Sequence, residues 1–266
     1  MINNRRMIVA TLLCLASLCI SASASALTIV TSNLYAGNQR AERATQRLLR
    51  SDPDVLVVLE YTGYNLAQDR LAEYRAVARF AAPNAHGIAV YVRSGIEAVG
   101  TVIASPVSGP CAMPIATVRL NSSTAPITLI ALHAPPPLRA CNNMTGPTVT
   151  AVQQWLSEGR LQHDIGVGVR GDMTIVAGDL NSFPRSSWIR DFARLGFEDA
   201  GDGAGTMYSG TWSPYAAIPK VIRIDYVFVP TQLEVTEART FRVPGSDHKG
   251  ILLSVAALPV SASATE

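Results

Sequence analysis

The chain has 266 residues, 48% of them hydrophobic and 16% charged, which suits one sizeable globular domain and argues against a disordered chain or two small domains. The formal net charge is +2, and Arg5 and Arg6 in the N-terminal segment account for that excess, so the remainder is close to neutral. Lys220 and Lys249 are the only lysines and arginine forms no dense run, which disfavours nucleic acid as a partner, because a polyphosphate backbone calls for a basic face.

Residues 1–26 read as a signal peptide: Arg5 and Arg6 supply a positive start, Met7 to Ile20 an apolar run, and Ala24-Ser25-Ala26 a small-residue cleavage site. The alternative is an uncleaved anchor, but the apolar run is short for a bilayer span of roughly 20 residues. Leu13 before Cys14 and Leu18 before Cys19 do not fit a lipoprotein signal. The mature domain is therefore expected over residues 27–266, periplasmic or secreted, with no transmembrane segment after cleavage and as a monomer.

Leu27 to Val30 reads as a strand running into the polar turn Thr31-Ser32-Asn33. Ala41, Ala44, Leu48 and Leu49 recur at helical spacing, predicting a helix over about 38–50. Ser51 to Asp54 breaks it. Val55-Leu56-Val57-Val58-Leu59 is a continuous apolar run of the kind buried on both faces of a sheet, and it ends on Glu60. Strands at 74–80, 87–93, 96–103, 115–120 and 127–133 follow, separated by Pro, Gly, Ser and Asn, as a succession of antiparallel hairpins. The run Ala134 to Pro137 stops the last of them. Cys111 and Cys141 flank this region and are the two cysteines outside the signal segment. With no CxxC or Cys/His spacing, they are expected to form a disulfide in an oxidising compartment, pinning the proline-rich loop after His133. A helix over 148–161, a buried strand over 173–177 entering Gly178-Asp179-Leu180-Asn181, a helix over 187–195, and strands at 206–212, 222–229, 233–241 and 250–255 complete a single mixed α/β domain.

Polar residues thus close separate strands: Asn33, Glu60, the Asp179–Asn181 pair and the Asp247–His248 pair. Oxygen-rich ligands such as Glu60 and Asp247 suit a hard cation, Mg²⁺ or Mn²⁺, better than zinc, which would call for more His or Cys. Asp225 lies in a β-run between Ile224 and Tyr226 and would be costly if buried unpaired, so a partner is expected.

The segments SNLYAGN (32–38), PDVLVVLE (53–60), IALHAPP, VAGDLNSFP, RIDYVFV and GSDHKG resemble, in order, those of the endonuclease/exonuclease/phosphatase superfamily, from about residue 28 to the end. The resemblance implies a four-layer α/β sandwich of two mixed sheets packed face to face with helices outside. It also implies roles. Glu60 would be the principal metal ligand, with Asn33 and Asp247 beside it. Asp179 would hold or activate the attacking water, and Asn181 would hydrogen-bond the phosphoryl group. His248 would serve as base or electrostatic partner of the phosphate, oriented by Asp225, and His133 would contact the phosphate or protonate the leaving oxygen. Trp212 would pack under the site or stack on substrate, and Arg223 would reach a substrate phosphate or pair with a surface carboxylate. His86 and His163 read as solvated or structural. Leu59 stands where many members have Gln, and no long insertion of the kind that grips duplex DNA is evident. The leading expectation is an exported metal-dependent phosphoester hydrolase acting on lipid pyrophosphates or head groups. A secreted endonuclease and a non-catalytic module on the same scaffold are the alternatives.

Overall fold

The computed structural model describes residues 26–109, 111–121, 126–137, 141, 143–158, 173–203, 210–214 and 218–257. The expected signal segment, His163, the end of the helix expected to 161 and most of the strand expected over 206–212 lie outside them.

The elements are β1 (Leu27–Asn33), α1 (Ala41–Leu49), β2 (Val55–Leu59), a 3-10 turn (Gln68–Leu71), β3 (Tyr74–Phe80), β4 (Ile88–Arg93), β5 (Glu97–Ile103), β6 (Ile115–Asn121), β7 (Pro126–His133), α2 (Thr145–Glu158), β8 (Met173–Asp179), α3 (Ser187–Arg194), β9 (Phe197–Asp199), α4 (Ala200–Gly203), β10 (Asp225–Pro230), β11 (Leu233–Arg242) and β12 (Lys249–Ala257). They form two six-stranded mixed sheets, ordered β11-β12-β1-β2-β4-β3 and β5-β6-β7-β8-β10-β9. This is the expected α/β sandwich, with one refinement. The hairpins of the middle region do not form one sheet: β4 pairs with β2, whereas β5 pairs with β6 in the other sheet. Among the described residues no helix is long and apolar enough to cross a membrane.

Period-2 alternation explains why the central strands are apolar throughout. In β2, Val55, Val57 and Leu59 face the other sheet, meeting Leu129, Ala131, Ile175 and Ala177 from β7 and β8. Leu56 and Val58 point the opposite way, under Ala44 and Leu48 of α1. In β7, Ile130 and Leu132 lie with Val149 and Val152 of α2 and with Ile189 and Phe192 of α3. A strand covered on both faces can hold no charge in its interior, since each such side chain gains about 1.5–3 kcal/mol from burial and a charge would lose far more. Polar residues are therefore pushed to the strand ends.

Each sheet has one parallel pair, β1 with β2 and β7 with β8. Parallel neighbours place their carboxyl ends on the same edge, where sites form in α/β sheets. Register sets Asn33 beside Leu59, His133 beside Asp179, and Asp179 beside Asp225 on antiparallel β10. Asn33, His133, Asp179 and Asp225 continue the inward-facing series begun by Ile29, Leu129, Ile175 and Val227. They form the polar end of the inter-sheet core. Gly178 allows the close β7–β8 approach just before Asp179: its φ is 148°, and a Cβ there would lie 1.9 Å from the Leu132 carbonyl oxygen.

Candidate functional site

Two clusters, each drawing on both sheets, meet at this edge and share Asp179. On the first, Asn33 Nδ2 donates to Glu60 Oε1 at 3.0 Å and to Asp179 Oδ2 at 3.2 Å, bridging the sheets. Glu60 Oε2 accepts from the Ala36 amide at 2.8 Å. Glu60 has a φ of 54°, and Tyr35 and Asn181, at 64° and 46°, share this left-handed conformation. Asn and Asp enter this region readily, as Asp52 does in the turn before β2, but for Tyr and Glu it is uncommon, and such positions concentrate at functional sites. At Glu60 the Asn65 amide donates to the backbone carbonyl at 2.7 Å, holding this conformation together with the side-chain contacts to Asn33 and Ala36. At Asn181 the backbone N–H donates to Asp179 Oδ1 at 2.8 Å, and the side-chain amide donates to the Ala134 carbonyl at 2.8 Å.

On the second cluster, His248 Nδ1 lies 3.0 Å from Asp225 Oδ2 and 3.2 Å from Oδ1, and its Nε2 is 3.7 Å from Asp179 Oδ2. The expected partner of Asp225 is therefore His248. His133 Nδ1 is 3.2 Å from the Ala85 carbonyl, which can only accept, so Nδ1 carries a proton. Its Nε2 faces Asp179 Oδ2 at 3.5 Å. Trp212 Nε1 donates to Asp247 Oδ2 at 3.1 Å, so this indole holds a carboxylate rather than only filling the core.

The electrostatics follow from crowding at low dielectric. Burial and the neighbouring Asp225 carboxylate push Asp179 up to about 8, against His248 and two hydrogen bonds that oppose the shift. Burial alone would lower His248, but the carboxylates of Asp225 and Asp179 outweigh it and raise the imidazole to about 10. Burial lowers His133, with His248 adding to the effect and Glu60 opposing it. The two rings thus differ: His248 is held charged and His133 neutral.

These contacts bring Asn33, Glu60, His133, Asp179, Asn181, Asp225 and His248 into one connected group, with Asp247 next to His248. Arg223 is ion-paired with Asp199 and sits 4.8 Å from the centroid of the Tyr226 ring. Three further residues support the site. Thr211 Oγ1 accepts from the Ile224 and Asp225 amides at 3.1 Å each. Ser246 Oγ donates to the Asn33 carbonyl at 2.7 Å and accepts from the His248 amide at 2.9 Å. Asn65 is the third. Ser246 lies inside GSDHKG and Thr211 beside Trp212, so proximity to those motifs was a usable signal; Asn65 had none. Cys111 and Cys141 form the expected disulfide.

A divalent cation fits these residues. Asp247 Oδ1 is buried and has no hydrogen-bond partner among the described residues, a costly state for a carboxylate oxygen unless a cation or water meets it. Asp179, Asp225 and His248 also bring ligand atoms within 4.8 Å of one another. His248 and Asp225 already engage each other there, and the oxygens of Glu60 and Asn33 carry hydrogen bonds of their own, so Asp247 Oδ1 is an oxygen open to a hard ion.

Residues 30–248 match the pattern that defines the Endonuclease/Exonuclease/phosphatase family. No curated protein matches the chain. Among solved structures, an endonuclease/exonuclease/phosphatase family protein from Bacteroides thetaiotaomicron is similar at a TM-score of 0.67 and 17% identity, over 88% of this chain and 98% of that one. A humanized D. rerio TDP2 is similar at 0.68 and 17%, over 87% and 99%. The mannosyl-6-phosphatase Bt3783 of Bacteroides thetaiotaomicron VPI-5482 is similar at 0.65 and 16%, over 86% and 99%. At these identities the likeness concerns the fold.

Proposed function

The chain belongs to the Endonuclease/Exonuclease/phosphatase family, and on that premise we propose that it is an exported hydrolase of phosphate esters or pyrophosphates that works with Mg²⁺ or Mn²⁺. The observation that carries the reading is the unpartnered, buried Oδ1 of Asp247 beside a group of buried carboxylates. Glu60, Asn33 and Asp247 would hold the cation, which when bound neutralises charge developing on the phosphoryl oxygens.

The remaining residues divide the proton work. Asp179, lifted toward neutral pH, is matched to take a proton from an attacking water at Oδ2. His248 is kept protonated by Asp225 and presents Nε2–H to a phosphoryl oxygen. His133, neutral with its proton on Nδ1, offers Nε2 to the water or the leaving oxygen. Asn181 uses one amide N–H on Ala134 and has a second to offer to the phosphoryl group. The Cys111–Cys141 disulfide supports export.

Small substrates such as lipid pyrophosphates and phospholipid head groups are favoured by the near-neutral charge of the chain beyond its first segment. A secreted endonuclease is the second reading, because one similar structure is D. rerio TDP2 complexed with a single-strand DNA product. Purified protein assayed on p-nitrophenyl phosphate, bis-p-nitrophenyl phosphate, a prenyl pyrophosphate and plasmid DNA, with Mg²⁺, Mn²⁺ or EDTA, separates the two. Turnover is expected with metal, absent in EDTA, and lost in Glu60→Ala and Asp247→Ala. Silence on every substrate would defeat the hydrolase reading, and cleavage confined to DNA would install the endonuclease.

A further inference from the structure

Lys220 and Lys249, the only lysines in the chain, line one cleft of about 1200 Å³ together with Arg40 and Arg242. Among the described residues its only acidic lining residue is Asp247, next to His248 of the site. In a chain of 22 basic and 20 acidic residues, four cations facing one carboxylate is a local excess. Lys220 Nζ donates to the Ser246 carbonyl at 3.0 Å, which ties the ammonium to the residue that also supports Asn33 and His248. Burial lowers Lys220, and the charges of Arg242 and Lys249 add to this while Asp247 opposes it, so these groups lie within electrostatic reach of one another. One wall is apolar: Ile218 and Val221 are 48% and 69% exposed there, beside Pro214 and Pro219. Like charges gathered beside apolar surface gain most from a ligand that is anionic at one end and hydrocarbon at the other.

We propose that this cleft is a second anion subsite of the same centre, and that the substrate is the pyrophosphate ester of an apolar alcohol. The terminal phosphate sits at Asp247 and His248, the inner phosphate meets Lys220 and Lys249, and the alkyl chain runs along Ile218 and Val221. This rests on the reading of the site as a phosphoester hydrolase. Water adds to the terminal phosphorus, and the bond from that phosphorus to the bridging oxygen breaks. The bridging oxygen leaves with the electron pair on the inner phosphate, where the lysines offset its charge. One proton of the water passes to Asp179 and the other stays on the orthophosphate; the second product is the alkyl monophosphate.

Calorimetric titration of the protein in EDTA with geranyl monophosphate, whose one phosphate is the inner one, and with geraniol, which has none, tests the subsite without turnover. The wild type is expected to bind the monophosphate at least about tenfold more tightly than the alcohol, the effect of one or more charge-assisted contacts. In Lys220→Gln/Lys249→Gln that ratio falls toward one, and in Lys220→Arg/Lys249→Arg, which keeps both charges, it persists. With Mg²⁺ and geranyl pyrophosphate, phosphorus NMR of the wild type should show orthophosphate and geranyl monophosphate as products. An unchanged ratio, or equal weakening of both ligands, overturns the subsite. So does a single-stranded oligonucleotide that binds more tightly than the monophosphate and weakens in the Gln variant. If the binding preference holds while no phosphoester turns over with any metal, the hydrolase reading fails and the anion subsite stands.

Discussion

His248 and Asp179 are both buried, and burial drives them in opposite directions. What sets their charge is each other and Asp225, which accepts from the ring. Asp225→Asn keeps the shape and removes the charge that holds His248 protonated, so kcat should fall by roughly 10²- to 10⁴-fold at temperatures where the variant stays folded. Full turnover in the folded variant would make the pair structural. The same shifts set a pH dependence for the metal-free protein. Asp179 ionises near 4 when unfolded and near 8 when folded, and His248 near 6.5 and near 10. In both cases the folded state holds the extra proton, so stability falls as pH rises, from about 4 to 8 for Asp179 and from about 6.5 to 10 for His248. His133 works the other way, losing stability below its unfolded value near 6.5. Melting curves in EDTA should therefore decline from pH 7 to 9, and Mg²⁺ should flatten that decline by offsetting the carboxylates. A flat EDTA profile would contradict the buried charge arrangement.

At the scale of elements, the site is a consequence of how parallel strands end. A run such as Val55 to Leu59 or Met173 to Ala177 can be recognised as doubly covered from composition alone, and a charge following it marks the rim of the sheet. That is why Glu60 and Asp179 were legible in the sequence, whereas Asp225, which opens β10, was marked by the cost of burying a carboxylate within a β-run. Partners supplied by loops were not: Asn65 and Thr211 act by hydrogen-bonding backbone atoms, a role that leaves no periodic trace. Nor did apolar alternation reveal that the hairpins change sheet between β4 and β5, because it is identical on either side of the sandwich. Short elements such as β9 and the 3-10 turn at Gln68–Leu71 are below the length at which periodicity can be read. Gly178 shows how narrow the tolerance is at a strand end. Gly178→Ala would force a Cβ to 1.9 Å from Leu132 O at a φ of 148°, and should cost about 2–4 kcal/mol in urea unfolding. Its neighbour Asp179 should shift too, so activity should fall further than the unfolded fraction explains. A neutral or stabilising result, as for an ordinary glycine-to-alanine change, would contradict the close β7–β8 approach.

The whole molecule repeats one arrangement: in each sheet a parallel pair is flanked by antiparallel strands, and the carboxyl ends of both pairs meet at Asn33 and Asp179. Because half of the site belongs to each sheet, sliding of one sheet against the other separates Glu60 from Asp179 even if both sheets stay intact. Substitutions that loosen the native contacts between the two sheets should then cost activity. The Cys111–Cys141 bridge acts at this scale, closing a 30-residue separation that contains β6 and β7 and so restricting the unfolded chain. By loop entropy its loss should reduce stability by about 3–4 kcal/mol, read as a lower urea midpoint in Cys111→Ala/Cys141→Ala. Thr145 Oγ1 donates to the Pro135 carbonyl at 2.6 Å, fastening the loop after His133 independently of the bridge. Below the unfolding transition the variant should therefore retain most of its turnover. If activity disappears while the fold persists, the disulfide is positioning His133 directly, and the proline-rich loop depends on it more than on Thr145.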